Sequence, residues 1–240
     1  MARRIVAIGG DGFSTGTAGG LDDYILGLSG RTSPKVCFVG TASGDSNEYL
    51  ARFYAAFAPP RCLPSHLNLF DRQVADLEAF VCAQDVIYVG GGNTANMLNL
   101  WRLHGLDRAL EQAWQRGVLL CGVSAGGLCW FEGGITDSFG LPHRTLKDGL
   151  GLLPGSFCPH YHLEPQRRHV YRQAVGQGMA AGYACDDAVA LHFEGTDLVD
   201  VITTVPTRCA YRVALESGRV VEVPLRVRLL GPEHGADVPG

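Results

Sequence analysis

A serine lies at the centre of the stretch GVLLCGVSAGGLCW, residues 117–130. An apolar run, a turn of small residues and a second apolar run are typical of a buried strand that bends sharply into a helix. Gly122 and Gly126 stand two residues before and two residues after Ser124. In such a turn the hydroxyl projects from the strand end, so the pattern predicts a nucleophile. A serine that only caps a helix is the competing interpretation.

A nucleophilic serine also needs donors for the negative oxygen that forms on the attacked carbonyl group. The backbone N–H of Ala125, at the start of the predicted helix, is one candidate. The loop YVGGGNT at residues 88–94 offers a second through Gly91 or Gly92, because glycine lets backbone approach a substrate closely. The same loop lacks the Gly-Lys-Ser/Thr ending of a phosphate-binding P-loop.

The base that takes the serine proton is expected to be a histidine. His160 and His162 lie in FCPHYHLEPQRRH, a polar, proline-bounded segment that follows an apolar run, and His160 is the preferred candidate. A carboxylate must then orient the imidazole. Asp137 in GGITDSFG and the pair Asp186 and Asp187 in YACDDAVALHF compete for this role. If the latter segment is one strand, only one of the two can face the site, and spacing does not decide which.

Alternating short apolar runs and helical patterns must position these residues. The runs RIVAIGG, KVCFVGT, DVIYVGGG and GVLLCGVS suit strands buried on both faces. Four segments between them have apolar spacing near the helical period: NEYLARFYAAFA, VADLEAFVCA, TANMLNLWRL and LDRALEQAWQRG. This alternation predicts an α/β fold, a mostly parallel sheet with helices on both faces and ligands at the carboxyl ends of its strands.

After about residue 195 the pattern changes to short, partly antiparallel edge strands. We expect one domain over residues 1–240, with a loose tail from about residue 231.

Composition excludes several classes of protein. The formal net charge is −4 with both signs interspersed, which argues against a nucleic-acid partner. The apolar run near the start is too short for a signal peptide or a membrane span, so we expect a cytoplasmic protein that does not bind membranes. None of the eight cysteines forms a Cys-x-x-Cys pair, and GGDGFSTG fails the dinucleotide pattern. We therefore expect neither a metal nor a cofactor.

The motifs VGGGNT, GVSAGG and CPHYH, in this order and spacing, resemble the peptidase E (aspartyl dipeptidase) family of serine peptidases, and more distantly the cyanophycinases. The resemblance implies a fold related to class I glutamine amidotransferase and flavodoxin-like domains. By the same resemblance, Ser124 matches the family nucleophile and His160 its histidine, with Gly91 and Ala125 as the oxyanion donors. The third family residue is usually a glutamate, and the matching position here is Asp187. Asp137 is the substitute.

Members of this family cleave dipeptides after an N-terminal aspartate without a metal, so the resemblance implies a small peptide as the partner of a monomer or homodimer. An arginine should pair with the aspartate side chain of the substrate, and Arg167 or Arg168 follows the predicted base. Gly92 and Asn93 are further candidates for substrate binding. A cyanophycinase-like exopeptidase and a non-catalytic binding protein on the same scaffold are the alternatives.

Overall fold

The computed structural model describes residues 2–15, 20–163 and 165–231, so most of the predicted loose tail lies outside the described residues. The strands are β1 (Arg4–Ile8), β2 (Lys35–Val39), β3 (Leu63–Leu67), β4 (Val86–Val89), β5 (Leu119–Val123), β6 (Phe131–Thr136), β7 (Arg144–Leu146), β8 (Leu153–Cys158), β9 (Gly182–Cys185), β10 (Val189–Glu194), β11 (Asp197–Thr203), β12 (Ala210–Glu216), β13 (Arg219–Pro224) and β14 (Arg228–Leu229). The α-helices are α1 (Gly20–Leu28), α2 (Asn47–Ala56), α3 (Leu77–Cys82), α4 (Thr94–His104), α5 (Leu106–Gln115), α6 (Ala125–Leu128) and α7 (Pro165–Gly176).

The first sheet has eight strands in the order β14-β11-β10-β1-β5-β4-β2-β3. Strands β1, β5, β4, β2 and β3 run parallel to one another, which confirms the predicted mostly parallel centre. Strand β10 runs antiparallel between β1 and β11, in the interior of the sheet. Strands β11 and β14, which belong to the edge strands predicted near the C-terminus, form one end of this sheet.

A second sheet, which the sequence patterns did not predict, has six strands in the order β13-β12-β9-β8-β6-β7. Strands β6, β8 and β9 are parallel, and the outer strands pair antiparallel. The segment YACDDAVALHF is thus not one strand. It contains β9 of the second sheet, a turn at residues 186–188, and β10 of the first sheet, so the chain crosses between sheets within a few residues.

The first sheet is covered on both faces, as expected for strands of continuous apolar residues. Along β1, Ile5 and Ala7 pack with residues of α3, α4, α5 and the second sheet, whereas Val6 and Ile8 pack with residues of α1 and α2. This split follows from the alternation of side chains along a strand. Helix α7 covers the other face of the second sheet.

An aromatic cluster fixes α2 beside the end of β1. The side chain of Ser46 accepts a hydrogen bond from the Tyr49 N–H and caps the helix. Phe13, which is 1% exposed, lies 5.0–5.8 Å from the ring centroids of five aromatic residues: Phe38, Tyr49, Phe53, Phe57 and Tyr88. The loop after β1 and the first turns of α2 are therefore held in one place.

Six of the eight cysteines are buried. In the part of the chain that the structure describes, no helix has the length and apolarity needed to cross a membrane.

Asp22 on α1 is a buried carboxyl group, and burial raises its pKa to about 6 despite the opposing influence of Arg61. A raised pKa means that folding favours the protonated form, so the associated stability is present below about pH 4 and is lost as the pH rises through 6. Asp22→Asn should therefore increase the free energy of unfolding at pH 8, by up to about 3 kcal/mol, and should change it little at pH 4. Denaturant titrations at the two pH values measure this.

Asp23→Asn is the matched control, because Asp23 is more exposed and forms an ion pair with Arg61 at 2.5 Å. This variant should show no gain at pH 8. Equal effects of the two substitutions would refute the role assigned to the buried carboxyl group.

Candidate active site

Ser124 lies at the sharp junction between β5 and α6, with φ 55° and ψ −110°. This backbone conformation is strained for a residue with a side chain. The strand and helix cross so closely that a Cβ on Gly122 would lie 2.4 Å from the Gly126 carbonyl oxygen, and one on Gly126 would lie 2.3 Å from that of Val89. The Gly-x-Ser-x-Gly spacing is therefore a steric requirement of the turn.

A continuous series of hydrogen bonds joins Ser124, His160 and Asp187. The Ser124 Oγ lies 2.8 Å from His160 Nε2, and His160 Nδ1 lies 2.6 Å from Asp187 Oδ1. A carboxylate can only accept, so we assign the proton to Nδ1, which leaves Nε2 to accept the serine proton. Serine, base and orienting carboxylate thus have the geometry of an activated nucleophile.

The neighbours Asp186 and Asp187 diverge because they lie in the turn between β9 and β10. Burial raises the pKa of Asp186, whose Oδ2 accepts the Cys209 N–H at 2.9 Å. Burial also acts to raise the pKa of Asp187, but the hydrogen bond and the electrostatic interaction with His160 outweigh it, so the pKa falls below its ordinary value. Asp187 therefore stays ionised beside His160, while Asp186 fixes the turn.

Three successive carbonyl groups, at and just after the end of β1, hold the backbones of this series together. The oxygen of Ile8 accepts the Ser124 N–H at 3.0 Å, and that of Gly9 accepts the His160 N–H at 3.2 Å. The oxygen of Gly10 accepts the N–H of Ala188, next to Asp187, at 3.0 Å. A Cβ on Gly10 would lie 2.2 Å from Asp187 Oδ1 and 2.7 Å from His160 Cε1. Only glycine leaves room for the aspartate and the imidazole here.

Other residues predicted for the site lie elsewhere. Asp137 is 57% exposed in its side chain and lies 3.8 Å from Arg167, whose own side chain is buried and donates to the Ile135 carbonyl. Arg168 pairs with Glu222. The structure therefore places Asp187, and not Asp137, against His160, and it places neither arginine in the pocket around Ser124.

A pocket of about 330 Å³ opens over Ser124, His160 and Asp187. Three residues that the sequence reasoning missed line it: Asp11, Tyr49 and Arg52. Tyr49 and Arg52 are three residues apart on α2 and so share one face of that helix. Asp11 directly follows the two glycines after β1. Its position at the carboxyl end of a predicted strand was the signal that could have found it.

The glycine loop before α4 forms another wall of the pocket, through Gly91 and Gly92. The Gly91 N–H donates to the Tyr49 hydroxyl at 3.3 Å, and a Cβ on Gly91 would lie 3.4 Å from that of Ser124. Gly92 has φ 138°, where a side chain is strained. Asn93 caps α4 and donates to the Ser138 carbonyl, so its side chain is already used within the fold.

Comparison with known proteins assigns the chain to a family. Residues 5–201 match the sequence model of peptidase family S51. The chain belongs to this family. It is 49% identical over 231 residues to the "Uncharacterized peptidase YgaJ" of Bacillus subtilis (strain 168), covering 95% of this chain and 100% of the relative. The resemblance to peptidase E seen in the sequence motifs is thereby confirmed, and the protein is a peptidase.

Two further similarities bear on fold and function. The chain is 31% identical over 160 residues to a "Probable alpha-aspartyl dipeptidase" of Drosophila melanogaster, covering 65% of this chain and 63% of the relative. The solved structure of a peptidase from an acI-B1 Actinobacterium has a TM-score of 0.68 and 17% identity, with 95% of each chain covered. The fold of this S51 peptidase is therefore shared with a solved peptidase.

Gly10→Ala should reduce peptide hydrolysis by more than about 100-fold, because displacement of His160 or Asp187 by 1 Å is enough for such a loss. The backbone at Gly10 is not left-handed, so only space excludes a Cβ. Hydrolysis rates of the purified variants measure the effect.

Gly27→Ala on α1 is the control, because a Cβ there meets nothing within 4 Å. It should keep full activity and gain roughly 0.5–1 kcal/mol of stability. Wild-type activity in Gly10→Ala would show that the space beside Gly10 does not determine the positions of His160 and Asp187.

Proposed function

We propose that this S51 peptidase is a serine peptidase in which Ser124, His160 and Asp187 form the catalytic triad. The observation that carries the proposal is the hydrogen-bonded series from Ser124 Oγ through His160 to Asp187, at distances of 2.8 and 2.6 Å, on a strained turn that opens into a pocket. Capping a helix does not require a hydrogen bond to an oriented imidazole, so the capping interpretation does not account for the position of His160.

The reaction follows from these positions. Ser124 Oγ attacks the peptide carbonyl carbon while its proton moves to His160 Nε2, and the Asp187 carboxylate stabilises the imidazolium. His160 then gives that proton to the leaving amine as the C–N bond breaks, which leaves an ester on Ser124. A water molecule, deprotonated by His160, attacks the ester and releases the acid, and the proton returns to Ser124.

The oxyanion formed in each attack would be bound by the backbone N–H groups of Gly91 and Ala125. Gly91 lies beside Ser124, and Ala125 begins α6 directly after it. The Tyr49 hydroxyl, which accepts the Gly91 N–H in this structure, marks the position that the substrate oxygen would take. Each such donor is worth roughly 2.7–4 kcal/mol of transition-state stabilisation.

The proposed substrates are short peptides, in particular dipeptides with an N-terminal aspartate. The name of the Drosophila relative supports this, and so does the charge of the pocket. Asp11 and Arg52 contribute opposite charges to its lining, which suits a residue that carries both an ammonium and a carboxylate group. We assign the substrate carboxylate to Arg52, because Arg167 and Arg168 lie against partners outside the pocket.

A serine-directed phosphonate should label Ser124 covalently, and Ser124→Ala should abolish both labelling and hydrolysis while changing stability by less than about 1 kcal/mol. Mass spectrometry of the labelled protein identifies the residue. Hydrolysis that survives in Ser124→Ala would show that the peptidase uses another mechanism. If Ser124 is never labelled in the wild-type protein, the pocket is a non-catalytic scaffold or serves another mechanism.

Asp187→Asn and Asp137→Asn form the matched pair for the third residue of the triad. Asp187→Asn should slow labelling and turnover by up to about 10⁴-fold, because an amide that donates to Nδ1 favours the wrong histidine tautomer and a neutral side chain no longer stabilises the imidazolium. Asp137→Asn should leave both rates near the wild-type values.

Arg52→Gln should lower kcat/KM for an Asp-Leu dipeptide by about 10- to 100-fold, the value of one charge-assisted hydrogen bond, and should change that for Ala-Leu little. Glu48→Gln is the control, because it removes the ion-pair partner of Arg52 but keeps the arginine. A loss of Asp-Leu hydrolysis in Arg167→Gln or Arg168→Gln, with none in Arg52→Gln, would return the role to the arginines predicted from the sequence.

A further inference from the structure

Tyr161, the residue after His160, is anchored at both ends although it does not line the pocket. Its side chain is 1% exposed, and its N–H donates to the Cys185 carbonyl at 3.0 Å. Its hydroxyl donates to Glu222 Oε2 at 2.6 Å. The backbone contact is to the end of β9, and the hydroxyl contact is to β13, so the second sheet holds this tyrosine from two strands.

Glu222 is a buried carboxylate with three partners. Its side chain is 6% exposed, and it accepts hydrogen bonds from Arg168 and Arg172 as well as from Tyr161. Burial acts to raise the pKa of Glu222, but the hydrogen bonds from Tyr161 and the arginines outweigh it and lower the pKa below its ordinary value. The group therefore remains a charged acceptor for the tyrosine hydroxyl at neutral pH.

The Tyr161 ring is also enclosed on its sides. The guanidinium carbon of Arg168 lies 5.4 Å from its centroid, and the rings of Tyr211 and Tyr171 lie at 5.5 and 6.3 Å. A ring held by a cation, two aromatic neighbours and a hydrogen bond has little freedom to move. The Tyr161 backbone therefore carries a side chain that is itself fixed, besides its own bond to Cys185.

His160 depends on that backbone. It has φ 54°, a left-handed conformation that costs energy for a residue with a side chain. Its own N–H is bound to Gly9, and the following N–H, that of Tyr161, is bound to Cys185. The imidazole is hydrogen-bonded through both ring nitrogens, so a shift of the His160 backbone would move the ring relative to both Ser124 and Asp187.

We propose that Glu222 is a positioning residue, which acts through the Tyr161 hydroxyl to hold His160 in the backbone conformation from which its imidazole reaches both Ser124 and Asp187. The inference rests on the proposed role of His160 as the base. Glu222 lies beyond residues 5–201, the part that matches the family model, so the β12–β13 hairpin adds a contact that the family assignment does not supply.

Tyr161→Phe is the most direct test, because it removes one hydroxyl and keeps the enclosed ring. It should lower kcat by about 10- to 100-fold with KM changed less than about twofold, since a misplaced base slows chemistry more than binding. Phosphonate labelling of Ser124 should slow by the same factor. Glu222→Gln should act in the same direction, and the double variant should be no slower than the slower single variant.

Glu216→Gln, on the exposed end of the same hairpin, is the matched control and should keep wild-type kcat. If Tyr161→Phe lowers the thermal midpoint but leaves kcat and labelling unchanged, the contact is only structural and the proposal is wrong. If Glu222→Gln does not fold, the Tyr161→Phe result alone decides.

A spectroscopic readout separates this proposal from the proposed function. The His160 Nδ1 proton, shared with Asp187, should give a downfield proton resonance that is present in wild type and Glu216→Gln and lost or shifted in Tyr161→Phe. If wild type never labels with the phosphonate, the proposed function fails, and this resonance still decides the positioning role. A resonance unchanged in Tyr161→Phe would overturn it.

Discussion

Three carbonyl oxygens in a row, on Ile8, Gly9 and Gly10, hold the backbones of the candidate active site in register. Each accepts an N–H from a different loop, at Ser124, His160 and Ala188. These loops are far apart in the sequence, so ordering each of them costs conformational entropy that the shared contacts must offset. Backbone can approach backbone this closely only where Gly9 and Gly10 carry no side chain: a Cβ on Gly9 would lie 2.3 Å from the Asp186 carbonyl oxygen.

The same contacts join two sheets at one point. Ser124 follows a strand of the first sheet, whereas His160 and Asp187 follow parallel strands of the second, and all three lie where those strands end. The distance between Ser124 and His160 therefore depends on how the two sheets are placed relative to each other. Four non-glycine residues at or beside this junction have positive φ: Asp11, Ser124, His160 and Ala188. Conformations of this kind cost about 1–3 kcal/mol each and persist only where the surroundings fix them, as the carbonyl contacts do here.

Local patterns were sufficient to predict the parallel centre of the first sheet and the turn around Ser124, because buried strands and tight turns have strong local signatures. The same patterns led to His160, which the structure places against Ser124. They did not reveal the second sheet, since no local pattern tells which strands share a sheet and the crossing at residues 186–188 lies inside what reads as one apolar run. Nor did they point to Arg52, because only the direction of its side chain places it at the pocket. Spacing left Asp137 and Asp187 open for a similar reason: the partner of Asp187 is 27 residues away.

The hydrogen bond from Gly91 to the Tyr49 hydroxyl, taken with the proposed role of the Gly91 N–H as an oxyanion donor, has a consequence for how binding energy is divided between substrate and transition state. A substrate carbonyl that replaces the phenol exchanges one neutral acceptor for another, and such an exchange is close to neutral in free energy. An oxyanion in the same place is charged, and its hydrogen bond is roughly twice as strong. The donor would thus contribute little to holding the substrate and much to holding the transition state, which is the condition under which an interaction raises kcat and not merely affinity. By occupying the proposed oxyanion site, the Tyr49 hydroxyl would make the Gly91 N–H favour the charged transition state over the neutral substrate.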